Sequence, residues 1–526
     1  MKNIFEKHFF GAGWLNTWRP YFLIFIIGFL LYAQTLSFDF TYFDDNSLIL
    51  EKQEILQDFK NVGQLFSADV FFSGSKFYYR PLLNLSFMID AQLGGESLFF
   101  YHFSNILMHL FCVALLFCLL KKISGKSALS FFLSLVFLVH PVLTQAVAWL
   151  PGRNDSLLTI FILLSFISFL NFLNHPRLKS YIAYLVFLFF ALLSKETAVF
   201  LPVLVIFYFW FVNRGKINFY DKSLLILGSL ATGFIWFLMR SFALGREPVN
   251  YFSAIFGIIN NLPAVLLGIG KLIFPFNLSV LPVLADSTLF YGVITLVILI
   301  LALYFSRHKR NNYLVFGLIW FIFFLLPSFI RLNTLSDFLE HRLYLPFIGF
   351  LIMLIEIDYL KNLDFTKKKV KIGAFIILII FSALTWCHSH KFNNRLTFWI
   401  SAAKSSPHSP LAQRNLGAMY YLDGQLDLAE IYYLKAIVLN PNEEMVHNNL
   451  GLIYLDQGNY FQAESEFNKE LAVYPTYDKA LFNLGLLRFK TGNFEAAKDL
   501  WQKTLEINPG YYEADLRLHN LEKTLR

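Results

Sequence analysis

Runs of about 20 residues with almost no charge recur along the first three quarters of this chain. Each is long enough to cross a bilayer as a helix. Backbone in hydrocarbon has to satisfy its own hydrogen bonds, so these runs are expected to be helical throughout. The expected spans lie near 20–37, 97–120, 127–149, 155–174, 179–194, 196–213, 223–244, 287–306, 313–330, 341–360 and 372–389. The stretch 251–285 is apolar too, but Asn260, Asn261, Lys271, Pro275 and Pro282 interrupt it. Only 15% of the 526 residues are charged, against about 25% in ordinary soluble chains. Lys2, Lys7 and Arg19 precede the first run as in a secretory signal, but Ala33-Gln34-Thr35 is a poor cleavage site. The run reads as a retained signal anchor.

The net charge of +8 is not spread like a nucleic-acid footprint. Its Lys and Arg sit in short loops: Lys121, Lys122 and Lys126; Arg177 and Lys179; Arg214, Lys216 and Lys222; Arg307, Lys309 and Arg310; Lys361, Lys367, Lys368, Lys369 and Lys371. Under the positive-inside rule these loops are cytoplasmic. They all fall on one side if 251–285 enters and leaves on the other, as a re-entrant or interfacial segment. That gives about eleven crossings, a cytoplasmic amino end and a carboxyl end on the far side. The loop 38–96, the turn 140–155, Ser194-Lys195-Glu196 and the loop 331–342 then face away from the cytoplasm. The cytoplasmic loops read as solvated basic turns. Cys112, Cys118 and Cys387 have neither disulfide nor metal spacing and are expected to be packing residues.

After about residue 405 a soluble helical pattern takes over. Leu416-Gly417, Leu450-Gly451 and Leu484-Gly485 recur every 34 residues, as do Ala429, Ala463 and Ala497, Gly424, Gly458 and Gly492, and Pro441, Pro475 and Pro509. Tyr433, Phe467 and Trp501 follow each alanine by four. This period and pattern mark tetratricopeptide repeats, paired helices stacked into a solenoid. Residues 512–525 read as the capping helix. The expected fold is therefore all-α: a polytopic helical membrane domain over 1–390, a linker over 391–408, and an α-solenoid over 409–526 with three repeats and a cap.

Asp44 and Asp45 stand just past the first span. Two carboxylates at the lip of a bilayer suit chemistry on a sugar presented there on a lipid phosphate. The plainer alternative is that they cap a short interfacial helix beginning at Asn46. His102, Asn105 and His109 share one helix face and read as an interhelical polar seam rather than a metal site.

The short motifs carry a resemblance that covers nearly the whole chain. They are Phe43-Asp44-Asp45, Tyr79-Arg80-Pro81-Leu82, Asn105-Ile106-Leu107-Met108-His109, the run from His140 to Trp149, and Pro151-Gly152-Arg153-Asn154-Asp155. Ser194-Lys195-Glu196-Thr197 and His341-Arg342-Leu343-Tyr344-Leu345-Pro346 complete them, ahead of the repeats. In order and spacing the chain resembles bacterial relatives of the transmembrane-and-tetratricopeptide-repeat protein O-mannosyltransferases, in the C-type class of integral-membrane glycosyltransferases. Gln145 and His341 depart from the acidic residues common at those places in the relatives.

The resemblance implies an inverting glycosyltransferase that moves a sugar from a polyprenyl phosphate to a protein Ser or Thr hydroxyl on the non-cytoplasmic face. For a bacterial member that is the outer side of the inner membrane, with the repeats in the periplasm or outside. It implies no cofactor and no metal. A hydroxyl acceptor needs a carboxylate base: Asp44, with Asp45 assisting, or the reverse. The departing phosphate needs fixed cations: Arg80, Arg153, Lys195 and Arg342, each of which could instead snorkel to headgroups. Asn415, Asn448, Asn449 and Asn483 share a phase in the repeats and are candidates for holding an acceptor peptide, with ordinary repeat packing as the alternative. The partners so implied are a polyprenyl-linked sugar, an acceptor protein and membrane lipid, with no nucleic acid. Two rival readings are transfer to a lipid or envelope glycan, and a non-catalytic scaffold or transporter whose repeats recruit a partner. Mid-span stretches almost free of ionisable residues count against a transporter.

Overall fold

The structure, a computed structural model, describes residues 13–72, 78–213, 218–245, 251–330 and 338–524. Lys2, Lys7, Arg214 and Lys216 lie outside the described residues, as do 331–337 of the loop before Arg342. All regular structure among the described residues is helical. The chain forms two compact units, Met1–Phe398 and Trp399–Arg526.

In the first unit six helices are long and apolar enough to cross a membrane: Arg19–Ser37, Leu98–Ser124, Leu150–Asn174, Phe219–Leu244, Asn311–Phe329 and Lys368–Phe392. Two bent pairs, Ser127–Leu138 with Pro141–Ala148 (51°) and Ile255–Asn261 with Pro263–Ile273 (47°), raise the number to at most eight. Leu178–Ser194, Glu196–Val212 and Phe290–Phe305 are apolar but shorter. By length and composition, then, the described helices give fewer spans than the eleven expected.

Proline explains one difference. The apolar run expected to span 127–149 stops at Leu138, because Pro141 has no N–H to continue the helix and disfavours helical geometry at His140 before it. Burial explains another. The run expected over 341–360 is helical only over Tyr344–Ile355, and nearly every residue there is buried against protein. Its apolar side chains pack against protein on nearly all sides. Gly317 and Gly349 let this helix touch Asn311–Leu325 backbone to backbone: a Cβ on either would lie 2.7 or 2.5 Å from the other's carbonyl oxygen. Small residues at such crossings are the usual device of membrane helices.

Leu98–Ser124 and Leu150–Asn174 form the centre of the unit, 61% and 78% buried over their apolar windows, while Lys368–Phe392 is 6% buried. The first ends on Gly125 in the left-handed region (φ 68°) with Lys121 and Lys122 in its last turn, a helix stop complementary to the dipole. One of the basic turns is more than a solvated loop. Arg310 donates through Nε to fully buried Glu356 at 3.0 Å and through Nη1 to the Ile123 carbonyl at 3.1 Å, and it lies over the Tyr313 ring.

The second unit is the repeat array. Helix pairs Pro410–Leu422 with Leu426–Leu439, Val446–Asp456 with Tyr460–Val473, and Asp478–Lys490 with Phe494–Ile507 are followed by Tyr512–Thr524. Gly417, Gly451 and Gly485 face Tyr433, Phe467 and Trp501; a Cβ would come within 2.9, 2.5 and 2.6 Å of those rings. Gly424, Gly458 and Gly492 turn the chain at φ 74°, 78° and 80°, open only to glycine at no steric cost. Residues 391–408, expected as a linker, hold a helix, Arg395–Ser405. The buried Trp399 stands one period before Tyr433, and Pro407 one period before Pro441. The repeat phase therefore reaches back half a unit before residue 409.

Candidate active site

The chain leaves the first helix through a turn over Ala33–Ser37 and enters a short acidic loop. Tyr42 and Asp44 both adopt positive φ, 57° and 68°. For residues with side chains, each such conformation costs on the order of 1–2 kcal/mol. Asp45 holds the loop in place. Its Oδ2 accepts from the Thr41 N–H at 2.8 Å and the Thr41 hydroxyl at 2.7 Å, and its Oδ1 from the N–H groups of Phe43 at 3.2 Å and Asn46 at 3.0 Å. The two acids are therefore unequal: Asp45 is 1% exposed, and Asp44 is exposed at the surface of the loop. Burial pushes the Asp45 carboxyl up to about 6; the Thr41 hydrogen bonds pull against this, and the neighbouring Asp44 charge adds to it. Asp44 precedes the short helix Asp45–Leu48 but makes no side-chain cap to it, so the capping alternative does not describe this loop.

Phe43, between the strained residues, is sandwiched by Trp149 (5.2 Å between ring centroids, 25°) and Phe398 (5.5 Å, 26°). Its carbonyl accepts from Trp149 Nε1 at 2.8 Å. Trp149 also meets His341, the rings tilted by 44° with centroids 5.3 Å apart. His341 Nε2 lies 3.8 Å from Asp155 Oδ2, and Lys195 Nζ donates to Asp155 Oδ1 at 2.6 Å. Next to Lys195, Glu196 accepts from Arg80 Nε at 3.1 Å and from the Tyr79 N–H at 3.0 Å. The Arg80 guanidinium covers the Tyr78 ring at 4.3 Å. With its amide oxygen turned to the available donor, Asn154 accepts from Arg80 Nη1 at 3.0 Å and donates to the Ser194 carbonyl at 2.8 Å. Arg342 Nη1 donates to the Ser328 carbonyl at 3.1 Å.

These charges feel one another. Burial lowers the Lys195 ammonium, Asp155 opposes the shift, and Arg80 and Arg342 add to it. His341 falls to about 3, first through burial and then under Lys195, Arg342 and Arg80, with Asp155 pulling the other way. It is therefore a neutral imidazole at ordinary pH. Arg80, Lys195 and Arg342 thus converge against two carboxylates, Asp155 and Glu196. Fixed cations gathered in this way are what holding an anion requires.

Arg153 is placed differently. It is 0% exposed and each of its three guanidinium nitrogens is engaged: Nε with Asn105 Oδ1 at 2.7 Å, Nη1 with Asp90, and Nη2 with the Tyr101 carbonyl at 2.6 Å, while the guanidinium lies over the Phe87 ring. Asn105 in turn donates to the carbonyls of Val147 and Trp149 at 3.1 and 3.2 Å. Arg153 thus ties the Leu98–Ser124 helix to the backbone that carries Trp149. His109 bridges the Tyr344 hydroxyl at 2.6 Å and the Leu138 carbonyl at 3.1 Å, so this helix face is a polar seam between helices. No His, Cys, Asp and Glu cluster able to hold a metal ion is found among the described residues.

Asp155, Glu196, Asn154 and Trp149 are participants that the sequence reading quoted within its motifs without giving them a role in the site. Their signal was adjacency: Asp155 and Asn154 follow Arg153, and Glu196 follows Lys195.

In the repeat unit, Asn483 Nδ2 donates to Asn448 Oδ1 at 2.9 Å, and Asn448 Nδ2 to Asn449 Oδ1 at 3.2 Å, while Asn415 Oδ1 accepts from Arg414 Nε at 3.1 Å. Three of the four thus form a ladder along one wall of a cavity of about 670 Å³, lined also by Met445, Tyr477, Lys479 and Tyr511.

Comparison with known proteins agrees with this organisation. Residues 81–240 match the family described as dolichyl-phosphate-mannose-protein mannosyltransferase, and residues 399–444 and 442–510 match tetratricopeptide repeats. The first match takes in Arg153, Asp155, Lys195 and Glu196 but neither Asp44 nor Arg342. The chain is 36% identical over 145 residues to mouse protein O-mannosyl-transferase TMTC2, covering 26% of this chain and 17% of that protein. With Caenorhabditis elegans protein O-mannosyl-transferase F38B6.6 it shares 24% identity over 445 residues, 80% of this chain and 63% of the relative. With mouse protein O-mannosyl-transferase TMTC1 it shares 39% over 89 residues, 17% of this chain and 9% of the relative. The matches thus span less than two thirds of these relatives' own length.

Proposed function

We propose that this relative of the tetratricopeptide-repeat protein O-mannosyltransferases transfers mannose from a polyprenyl phosphate to a protein Ser or Thr hydroxyl at the non-cytoplasmic membrane face. The observation that carries the reading is the chain of ring contacts Phe43–Trp149–His341, stacked at the first pair and tilted by 44° at the second, which links the acidic loop to the cation cluster. An acid on one side and fixed cations on the other are what this displacement requires.

Asp44 takes the proton of the incoming hydroxyl. The hydroxyl oxygen forms a bond to the anomeric carbon as the bond from that carbon to the phosphate oxygen breaks, with inversion. Arg80, Lys195 and Arg342 receive the negative charge that stays on the polyprenyl phosphate. Asp45 keeps the strained loop in shape, and Arg153 anchors the backbone behind Trp149 rather than touching the phosphate. The repeats hold the acceptor, which raises its effective concentration through covalent linkage to the membrane unit.

The test compares glycopeptides from cells carrying wild-type protein, Asp44→Asn, and Asp44→Asn with Asp45→Asn. Loss of O-mannosylated peptides in both variants is expected. Unchanged glycosylation across proteins and envelope polymers would refute the enzyme reading.

A further inference from the structure

Lys271 is an ammonium within the apolar helix Pro263–Ile273 and is 7% exposed. A charge in such a segment is costly and marks a functional role more often than not. Its Nζ donates to Glu340 Oε1 at 2.6 Å, and Glu340 is 0% exposed. The same oxygen accepts the Ser279 N–H at 2.9 Å. One carboxylate oxygen therefore joins three pieces of chain: the Pro263–Ile273 helix, the irregular segment 278–283 and the turn Glu340–Leu343. That turn carries His341 and Arg342.

Other ties repeat the connection. The Phe338 N–H donates to the Pro282 carbonyl at 3.2 Å. Gln145 donates to the Val280 carbonyl at 3.2 Å, and its amide oxygen meets the His341 N–H at 3.5 Å. Lys391 Nζ donates to the Leu278 carbonyl at 3.0 Å. Glu340 Oε2 faces His388 Nε2 at 3.4 Å. A single 3₁₀ turn has few internal bonds to resist rotation, so the ties at residue 340 help set where Arg342 stands, alongside its own bond to the Ser328 carbonyl.

We propose that Lys271 and Glu340 are positioning residues for the donor-phosphate site, fixing the 340–343 turn and so the place of Arg342. The assignment rests on the transferase reading above. It gives the buried pair of Lys271, in the interrupted segment, and Glu340 a function that neither touches substrate nor moves protons. Displacing a substrate-holding group by about 1 Å can cost on the order of 100-fold in rate.

The test uses full-length protein in lipid nanodiscs: wild type, Lys271→Met, Lys271→Arg, Glu340→Gln, and the neutral double variant Lys271→Met with Glu340→Gln. Binding of undecaprenyl phosphate, donor and acceptor KM, and amide hydrogen exchange are measured on each. Lys271→Met and Glu340→Gln should weaken undecaprenyl phosphate binding and raise donor KM by about tenfold or more, with acceptor KM unchanged. Exchange should speed up at 278–283 and 338–343 together and not in the repeats, and Lys271→Arg should restore binding. The double variant, which leaves no buried charge unpaired, serves if Lys271→Met does not fold, and should show the same donor-specific loss. Wild-type binding in every variant would overturn the proposal, as would equal loss of donor and acceptor KM. A wild type that binds no undecaprenyl phosphate would instead overturn the transferase reading, and this role with it.

Discussion

Asp44 and Asp45 are chemically the same residue, and their backbone surroundings make them different. Thr41, Phe43 and Asn46 spend their hydrogens on Asp45, which leaves Asp44 as the exposed acid at a left-handed position. Asparagine tolerates that conformation. Asp44→Asn should therefore keep the fold, within about 1 °C of wild-type Tm, while transfer drops by about 10²–10⁴-fold, the usual range for a general base. A Tm collapse with activity per folded molecule unchanged would make Asp44 structural. For Asp45 the sign runs through its raised carboxyl. A folded value near 6, above the ordinary 3.8, means the folded state binds the proton more tightly than the unfolded state. That contribution is complete below about pH 4 and is lost as pH rises through 6, about 3 kcal/mol over the window. The Tm advantage of wild type over Asp45→Asn should therefore be larger at pH 4 than at pH 7.5. A gap constant across that range would contradict the burial argument.

Among elements, the Leu150–Asn174 helix shows how two cations of similar sequence setting part company. Arg153 lies in its first turn facing inward, where Asp90, Asn105 and the Tyr101 carbonyl absorb its fork. Lys195 sits at the break between two apolar helices, its side chain 16% exposed, paired with Asp155 from the same helix as Arg153. Removing a buried partner leaves a charge uncompensated, a loss of about 3–5 kcal/mol. Arg153→Met should thus lower stability by that order, read as Tm and expression. Lys195→Gln likewise strips buried Asp155 of its cation and should also lower Tm, but it alone should weaken donor affinity per folded molecule. Equal donor affinity in the two variants would remove the distinction between frame and site. The motif around 151–155 was legible as a motif. Which of its members turns inward was not, because that depends on Asp90 and Asn105 arriving from two other helices.

At the scale of the whole chain, the functional reading needs the acidic loop and the repeats in one compartment. Reporter fusions within the 38–72 loop and after Arg526 should both report the non-cytoplasmic side. Cytoplasmic activity at either would separate the proposed acceptor-binding repeats from the acid. The repeats make their own prediction. Gly451 faces Phe467 so closely that a Cβ would lie 2.5 Å from the ring. Gly451→Val should therefore loosen the repeat array by about 1–3 kcal/mol, the common cost of overpacking, and quicken hydrogen exchange over Val446–Val473. Unchanged exchange there would mean that the helix pair spreads without cost.

By itself the sequence determined the all-helical class, the membrane unit followed by a solenoid, and the 34-residue register that sets every helix pair. Each of these follows from local periodicity and charge, which neighbouring residues carry. Only the tertiary structure decided which apolar runs form short, buried helices, that Asp45 is the inner acid, and that Lys195, Arg80 and Arg342 converge while Arg153 does not. It alone joined Lys271 to Glu340, 69 residues apart. Hydrophobic length fixes what a segment is, but the direction of a charge is set by partners that the chain brings from elsewhere.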